Sequence, residues 1–253
     1  MVEVESLLIG DNYNYLVREP KSGDLAVVDL ANGQLLIKEL LVRGAKPTHV
    51  FLTHFHFDHV AGLEEFCEAF EGVTVVKPLS EDRITQPAVG LAHLERYRFG
   101  FTEVEVLITS AHTRTHAAYI FDERHCFTGD ALFMAGCGRL FEGQAEDLKK
   151  AMDLFAGLDP DTQLYFGHEY SLANLRFAEY VDPGNRDVAL AKEAVEAKLN
   201  RGEHTVPGNL AQELKINPFL RTDQAQLIQM LDPSGRLSPT ERLMALRRKK
   251  DHF

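Results

Sequence analysis

The stretch Thr53-His54-Phe55-His56-Phe57-Asp58-His59 constrains this chain more than any other part of the sequence. It places three imidazoles and one carboxylate within six consecutive positions, directly after the apolar run Val50-Phe51-Leu52. Neutral imidazole is the commonest metal ligand in proteins, and mixed nitrogen and carboxylate donors suit zinc, iron or manganese. An exposed polar loop with incidental histidines is the alternative interpretation, but four such donors at the end of a strand favour a metal site.

The spacing of these donors predicts how they divide between ions. In extended backbone, alternate side chains point the same way, so His54 and His56 can bind one ion. Asp58 and His59 are adjacent in the sequence and would point apart, which suits them to a second ion close by. The stretch therefore predicts two metal ions rather than one.

Composition and charge exclude several classes of partner. With 253 residues and 45% hydrophobic content, the chain can bury a large core. A formal net charge of -11 argues against nucleic acid as a general partner, and no apolar run is long enough to cross a bilayer. The cysteines Cys67, Cys126 and Cys137 are too few and odd in number for a disulfide framework. With its acidic start, the sequence predicts a protein of the reducing cytoplasm without a membrane partner.

The pattern of secondary structure changes near residue 170. Apolar runs such as Leu25-Ala26-Val27-Val28 alternate with turn residues and helical stripes up to that point, as in an α/β domain. Beyond it, helical periodicity dominates and strands are not evident. The last helix begins at Ser238-Pro239-Thr240-Glu241, which supplies an N-cap, a proline at N1 and a glutamate at N3. We therefore predict a domain over residues 1–170 and a small α-helical domain over residues 171–253.

Further donors follow other predicted strands. His112, Asp130 and His168 each come directly after an apolar strand or within a few residues of one, as His54 does. Side chains at strand ends lie on a rigid scaffold and reach a common rim. The candidate metal ligands are therefore His54, His56, Asp58, His59, His112, Asp130 and His168. Three private ligands for each of two ions leave Asp130, alone after a glycine, as the shared carboxylate, and we expect His116 to support a ligand rather than bind metal.

Such a donor set predicts hydrolysis. Two divalent ions about 3.5–4 Å apart can hold a bridging water, lower its pKa toward about 7 and polarise a carbonyl. No Ser-His-Asp arrangement, phosphate-binding loop or dinucleotide fingerprint is evident in the sequence, so water is the expected nucleophile. Zinc, iron and manganese all accept these donors, and zinc is the first expectation.

These motifs resemble a known family. The stretch Thr53-His54-Phe55-His56-Phe57-Asp58-His59 is similar to the signature of the metallo-β-lactamase superfamily. Other stretches resemble the glyoxalase II, or hydroxyacylglutathione hydrolase, family. They run almost from end to end of the chain: Asp11-Asn12-Tyr13, His112-Thr113, residues 127–133, residues 136–143, Gly167-His168-Glu169-Tyr170, Asn217-Pro218-Phe219-Leu220-Arg221 and Arg247-Arg248-Lys249-Lys250-Asp251. The last three are the most specific to the family.

The resemblance implies an α/β fold, an αββα four-layer sandwich with a binuclear metal site, followed by a small C-terminal α-helical domain. It implies two sets of three ligands, one being His54, His56 and His112 and the other Asp58, His59 and His168. Asp130 and a hydroxide would lie between the two ions. It also implies that glutathione is bound by Arg139, Phe141, Tyr170, Arg247 and Lys250. Glutathione carries two carboxylates, which arginine and lysine can pair.

Two positions depart from the family pattern. Thr115 stands where relatives usually have glycine, and a β-branched residue would be strained there if the backbone needs a positive φ. Phe141 stands where many relatives have tyrosine, so it lacks a hydroxyl that could contact glutathione. Both departures bear on substrate affinity more than on the metal site.

The function implied by the resemblance is hydrolysis of the thioester S-D-lactoylglutathione to D-lactate and glutathione by a monomeric enzyme. The metal-bridging hydroxide would attack the thioester carbonyl, and Asp58 would orient the water as well as bind metal, without acting as a general base. One alternative is a glutathione-persulfide dioxygenase of the same superfamily, which needs a single redox-active iron. A lactone or β-lactam hydrolase would leave the basic C-terminus unexplained. A non-catalytic metal-binding module would not need seven donors.

Overall fold

The computed structural model describes residues 1–253 and divides them into two compact units. The first unit comprises Met1–Ile108 and Thr115–Gly129, and the second comprises Thr109–Arg114 and Asp130–Phe253. The boundaries of these units differ from those of the predicted domains, residues 1–170 and 171–253. The division into those domains remains a prediction. None of the helices combines the length and the apolar composition that crossing a membrane requires.

The strands of the first unit lie in two sheets. The first sheet contains β1 (Glu3–Ile9), β2 (Asn12–Arg18), β3 (Leu25–Val28), β4 (His49–Phe51), β5 (Thr74–Pro78) and β6 (Val89–Leu91). The second contains β7 (Arg96–Phe99), β8 (Thr102–Ile108), β9 (Ala117–Phe121) and β10 (His125–Gly129). Strands β1 to β3 pair antiparallel and β3 to β6 pair parallel, whereas β7 to β10 form an antiparallel meander. Parallel neighbours need a crossover connection, which helices supply between β3 and β4 and between β4 and β5, and a loop supplies between β5 and β6.

Three helices belong to the first unit: α1 (Gly33–Val42), α2 (Phe57–Val60) and α3 (Leu63–Ala69). Leu36 of α1 and Phe66 of α3 are buried in one cluster with strand residues such as Val27 and Val50, which covers one face of the first sheet. The leucines of α1 lie on two faces of the helix. Leu36 and Leu40 are buried, whereas Leu35 and Leu41 are exposed, because adjacent helical positions lie about 100° apart around the axis.

The other face of the first sheet packs against the second sheet through aromatic side chains. The ring of Phe51, on β4, lies 5.0 Å from that of Phe121 and 5.3 Å from that of Tyr119. Tyr15 of β2 meets Phe127 of β10 edge-on at 5.2 Å. Edge-to-face ring pairs add to the burial of apolar area and fix the two sheets against each other. This packing holds β4, and the histidine stretch follows the end of that strand.

The second unit is mainly helical. Its helices are α4 (Ala145–Ala156), α5 (Ser171–Val181), α6 (Arg186–Asn200), α7 (Leu210–Ile216), α8 (Ala225–Leu231) and α9 (Pro239–Asp251), with a 3-10 turn at Pro218–Leu220. It also contains the short strands β11 (Leu132–Phe133), β12 (Gly136–Cys137), β13 (Gln163–Phe166) and β14 (Gly208–Asn209). The predicted cap of α9 is present, since Ser238 and Glu241 exchange hydrogen bonds. The expectation of no strand beyond residue 171 is wrong, because Gly208–Asn209 pairs with β13.

Glu213 is a fully buried carboxyl group that holds the hairpin formed by β11 and β12. Its Oε2 accepts hydrogen bonds from the backbone of Ala135, at 2.8 Å, and from the side chain of Asn217, at 2.9 Å. The same Asn217 amide donates to the carbonyls of Phe133 and Gly136. Ala135 has a left-handed φ of 50°, so these side chains hold the hairpin turn in a conformation that alanine rarely adopts. Burial raises the pKa of Glu213 to about 8, although both hydrogen bonds act to lower it.

We expect Glu213→Gln to remove a pH dependence from the stability of the protein. The pKa of this glutamate rises from 4.5 to about 8 on folding, so its contribution is full below the lower value and is lost as pH rises through the upper one. Each unit of difference corresponds to about 1.4 kcal/mol. Thermal unfolding should therefore show the wild type losing stability relative to the variant as pH rises from about 5 to about 8. Parallel stability profiles would contradict the assignment.

Candidate metal centre

The histidine stretch leaves the first sheet as a short loop and then turns into a helix. Strand β4 ends at Phe51, and α2 carries Asp58 and His59. The expectation that Asp58 and His59 point apart is therefore wrong. In a helical turn adjacent residues are rotated by about 100° rather than 180°, and Asp58 Oδ2 lies 3.8 Å from His59 Nε2.

His54 and His56 meet as their spacing predicts. His54 Nε2 lies 3.1 Å from His56 Nδ1. The ring centroid of His59 is 4.2 Å from that of His54. His54 and His59 are buried, whereas the side chain of Asp58 is half exposed. The first unit therefore brings four of the seven candidate ligands together.

Asp29 supports this group, and the sequence analysis missed it. Its Oδ1 accepts from the backbone N–H of Thr53, and its Oδ2 accepts from the Thr53 hydroxyl and from His59 Nδ1, each at 2.8 Å. The carboxylate is buried and its backbone has a left-handed φ of 60°. The signal that would have found Asp29 is the one used for the other donors, because it directly follows the apolar strand β3.

These hydrogen bonds decide which ring nitrogens can bind metal. Neutral imidazole has one N–H, so His59, which donates from Nδ1 to Asp29, presents the lone pair of Nε2. The Thr53 hydroxyl gives its proton to Asp29, and its oxygen therefore accepts from His54 Nδ1 at 2.9 Å. His54 then also presents Nε2. One carboxylate fixes the tautomers of two candidate ligands.

Three further residues of the first unit support the stretch. Asn12 donates to the backbone oxygen and to Oδ2 of Asp58, at 3.1 and 3.2 Å. His116 is buried with its ring centroid 5.0 Å from that of His54, which suits the supporting role expected of it. Gly129 has a φ of +48°, and a Cβ there would lie 2.6 Å from Thr53 Oγ1 and 2.8 Å from His116 Nε2. Only glycine fits at that position.

The second unit brings together the other three candidate ligands. Asp130 Oδ2 lies 3.5 Å from His112 Nε2 and 3.3 Å from His168 Nε2, and all three side chains are buried. His112 donates from Nδ1 to the carbonyl of Arg139 at 3.0 Å, so its Nε2 lone pair faces Asp130. A carboxylate oxygen between two histidines is the arrangement expected of a shared ligand.

The donors within each unit fit divalent metal ions. In a tetrahedral site with bonds of about 2.1 Å, neighbouring ligand atoms lie about 3.4 Å apart, and in an octahedral site about 3.0 Å apart. The donor pairs described above lie 3.1 to 3.8 Å apart. Mixed imidazole and carboxylate donors are also the chemistry that zinc, iron and manganese accept. The donors within each unit can therefore bind divalent ions with little rearrangement.

Two candidate substrate contacts, Phe141 and Tyr170, pack on candidate ligands of the second unit. The Phe141 ring meets that of His112 edge-on at 5.2 Å, and the Tyr170 ring stacks on that of His168 at 4.7 Å. The Phe141 side chain is 63% exposed and that of Tyr170 is 39% exposed, so both present aromatic surface to an incoming molecule.

Two of the three basic candidates of the second unit, Arg139 and Arg247, lie beside the carboxylate of Asp251. Asp251 Oδ1 lies 3.6 Å from Arg139 Nε and 3.1 Å from an Arg247 guanidinium nitrogen. Arg247 is buried and donates to the carbonyl of Cys137 at 2.7 Å. Lys250 lies over the Phe177 ring, 5.0 Å from its centroid. Burial, helped by nearby Arg247, lowers the pKa of Lys250 to about 8.

The strain considered at Thr115 is absent. Thr115 is not among the residues with a left-handed φ, so its β-branch meets no backbone penalty. Its hydroxyl donates to Glu81 Oε2 and accepts from the Arg83 guanidinium at 3.1 Å. The hydroxyl therefore has a structural task in this chain.

Two family models match the chain: Metallo-beta-lactamase superfamily over residues 10–168, and Hydroxyacylglutathione hydrolase C-terminus over residues 169–253. The hydroxyacylglutathione hydrolase of Methylococcus capsulatus is 39% identical over 256 residues, which cover 100% of this chain and 99% of that protein. That of Erythrobacter litoralis is 36% identical over 255 residues and covers 100% of both. Among solved structures, ETHE1 from Myxococcus xanthus has a TM-score of 0.67 at 22% identity, with 98% of each chain covered, and shows the fold alone.

The fold and the family model that matches residues 10–168 define a protein of the metallo-β-lactamase superfamily. Such a protein has mixed sheets with helices around a metal-binding site. Within that superfamily, the full-length relatives show that the chain belongs to the hydroxyacylglutathione hydrolase family. The resemblance and the fold class stated from the sequence are confirmed, and the protein is a metal-dependent hydrolase.

We expect Asp29→Asn to weaken divalent-metal binding about 10- to 100-fold, the usual cost of removing a partner that orients a ligand. The amide cannot accept from Thr53 and His59 together as the carboxylate does, so both candidate ligands lose their orientation. Competition between the metal-free protein and a chromophoric chelator measures the affinity. Asp161→Asn, at an exposed position, is the matched control. Equal affinity in Asp29→Asn and wild type would exclude the orienting role.

Proposed function

We propose that the protein hydrolyses S-D-lactoylglutathione to D-lactate and glutathione. The match of residues 169–253 to the hydroxyacylglutathione hydrolase C-terminus carries the choice of substrate. The metal motif alone does not select one, because one fold hosts many functions. In the reaction the oxygen of water bonds to the thioester carbonyl carbon, the C–S bond breaks, and the sulfur leaves with glutathione.

For the metal centre we propose the two ligand sets that membership of the family implies. His54, His56 and His112 would hold one ion, Asp58, His59 and His168 would hold the other, and Asp130 would be the ligand that both share. Membership of the family supports this division, and within each unit the ring tautomers leave nitrogen lone pairs available for metal. We propose zinc first, with iron or manganese accepted by the same donors. Two divalent ions bound there would lower the pKa of a water between them and polarise the thioester carbonyl.

The protein residues then have distinct tasks. His54 and His59 are buried and held by the Asp29 network, so they present their nitrogens without reorganisation. Asp58 is half exposed and anchored by Asn12, which suits it to orient an incoming water. Asp130 is buried between two histidines, so it does not orient an incoming water.

For glutathione recognition we propose that Arg139 and Lys250 pair with its carboxylates. Arg139 is the most accessible of the basic candidates, at 65% side-chain exposure, and Lys250 is half-buried over the Phe177 ring. Arg247 is already bonded to Cys137 and Asp251, so its task in this proposal is to hold β12 beside the other two cations. Phe141 and Tyr170 would offer aromatic surface to the thioester chain.

We also propose that the protein acts as a monomer in the cytoplasm. Its three cysteines are free, and two of them, Cys126 and Cys137, are buried. Reduced thiols are typical of a reducing compartment. Light scattering that gives a mass near 28.5 kDa would support the monomer, and a multiple of that mass would refute it.

The proposed function predicts two divalent ions per chain and thioester hydrolysis that requires them. Elemental analysis measures the ions, and activity is followed with S-D-lactoylglutathione, glutathione persulfide under oxygen, a lactone and a β-lactam. Removal of metal should abolish hydrolysis, and added zinc should restore it. One iron per chain with oxygen uptake would instead favour the dioxygenase.

We expect Lys250→Ala to raise KM for S-D-lactoylglutathione about 10-fold, the value of a charge-assisted hydrogen bond of about 1.4 kcal/mol, and to leave KM for a small neutral thioester unchanged. Because the pKa of Lys250 is about 8, the wild-type KM should rise as pH passes above that value and the ammonium loses its proton. The profile of the variant should lack this rise.

Lys249→Ala is the matched control for that experiment, since Lys249 is the exposed neighbour on the same helix. An equal effect of Lys250→Ala on both thioesters would remove Lys250 from glutathione recognition while leaving the hydrolytic function intact.

A further inference from the structure

A polar cluster outside the candidate ligands contacts the loop that carries them. It consists of Lys77, Glu81, Arg83 and Thr115 in the first unit. The Glu81 side chain is only 1% exposed, and its carboxylate receives Arg83 Nε at 2.7 Å and an Arg83 terminal nitrogen at 2.8 Å. Such a two-pronged pair fixes the plane of the guanidinium as well as its position.

Further hydrogen bonds link the members of the cluster to each other and to the loop after β5. Lys77 Nζ donates to the carbonyls of Glu81 and Ile84, at 2.7 and 2.8 Å. These bonds hold the loop after β5 against the end of that strand. Thr115 donates to Glu81 and accepts from Arg83. Burial raises the pKa of Glu81, but the bonds from Arg83 and Thr115 outweigh it and hold the pKa below its usual value, so the carboxylate stays ionised.

The oriented guanidinium stacks on the residue between two candidate ligands. The central carbon of the Arg83 guanidinium lies 3.5 Å from the centroid of the Phe55 ring. Phe55 separates His54 and His56 in the sequence, and its ring lies 4.8 Å from that of His56. The facing nitrogens of His54 and His56 are 3.1 Å apart. Because Phe55 joins these two residues in the backbone, a displacement of Phe55 would change the spacing of the donor pair.

Thr115 links the same cluster to the other side of His54. The next residue, His116, is buried against the His54 ring. The backbone N–H of Ala117 donates to the carbonyl of Thr53 at 2.9 Å. The cluster therefore contacts the loop through Phe55, and Thr115 connects it to β9, which begins at Ala117 and bonds to Thr53.

We propose that Arg83 is a positioning residue for the metal-ligand loop, acting through Phe55, and that Glu81 and Thr115 hold Arg83 in place. This proposal rests on the proposed metal centre. Arg83 contacts no reacting atom in it. Its stacking keeps the backbone of residues 54–56 in the one conformation that aligns the two imidazoles.

The test measures zinc affinity of the metal-free protein by chelator competition. We expect Arg83→Ala to weaken zinc binding about 10-fold, the lower end of the effect of removing an orienting partner. Arg96→Ala is the matched control, because Arg96 is also an arginine of the first unit that pairs with glutamate, in its case Glu103 and Glu105. It should bind zinc as the wild type does.

A double-mutant cycle separates positioning from general destabilisation. If Arg83 acts through Phe55, Phe55→Leu combined with Arg83→Ala should weaken zinc binding no more than Phe55→Leu alone. Fully additive losses would overturn the route through Phe55. Thermal unfolding of the metal-free variants is measured alongside, and a loss of zinc affinity in a variant that unfolds like the wild type supports positioning.

Thr115→Val gives a milder variant if Arg83→Ala does not fold. It keeps the shape of the side chain and removes the hydroxyl, and we expect a loss of zinc affinity of a few-fold in the same direction. Wild-type affinity in every folded Arg83 or Thr115 variant would overturn this proposal alone. Failure of the wild type to bind zinc at all would overturn the metal centre itself and this proposal with it.

Discussion

The candidate centre depends on the hydrogen bonds that the buried carboxylate of Asp29 accepts. This carboxylate accepts three hydrogen bonds, two from Thr53 and one from His59, and each is 2.8 Å long. Hydrogen bonds to a charged group are worth about 1.5–3 kcal/mol each, and they are stronger where water is excluded. The parallel pairing of β3 with β4 makes the contact possible, because it sets the residue after one strand beside the loop after the other.

This arrangement explains why a short histidine stretch can act as a preorganised set of donors. Thr53 relays the effect of Asp29 to His54, and His59 receives it directly. In water each imidazole would sample both tautomers and many rotamers, and the metal would have to select among them. A buried network makes that selection during folding, so metal binding does not have to supply the ordering free energy.

Much of this could be predicted from the sequence, because strand periodicity and strand-end donors are local signals. His112, Asp130 and His168 were found that way, and the second unit groups them. Asp29 follows β3 in the same manner, so the same signal applied to every strand would have found it. The helical turn of α2 was also missed, since four residues are too few for a periodic pattern. The role of Asp29 depends on contacts between segments distant in the sequence, which no local pattern reveals.

Burial is the other quantity that a residue pattern does not reveal. Arg247 and Lys250 belong to one basic run, yet the first is buried against Cys137 and the second lies partly exposed over an aromatic ring. Two cations of one motif therefore have different surroundings, one bonded to the hairpin at Cys137 and one lying over the Phe177 ring. The same reasoning applies to Thr115. A rule based on φ alone predicts strain at that position, whereas the hydroxyl finds Glu81 and Arg83 in an ordinary backbone conformation. A departure from a family pattern is therefore best judged by the partners that the new side chain acquires.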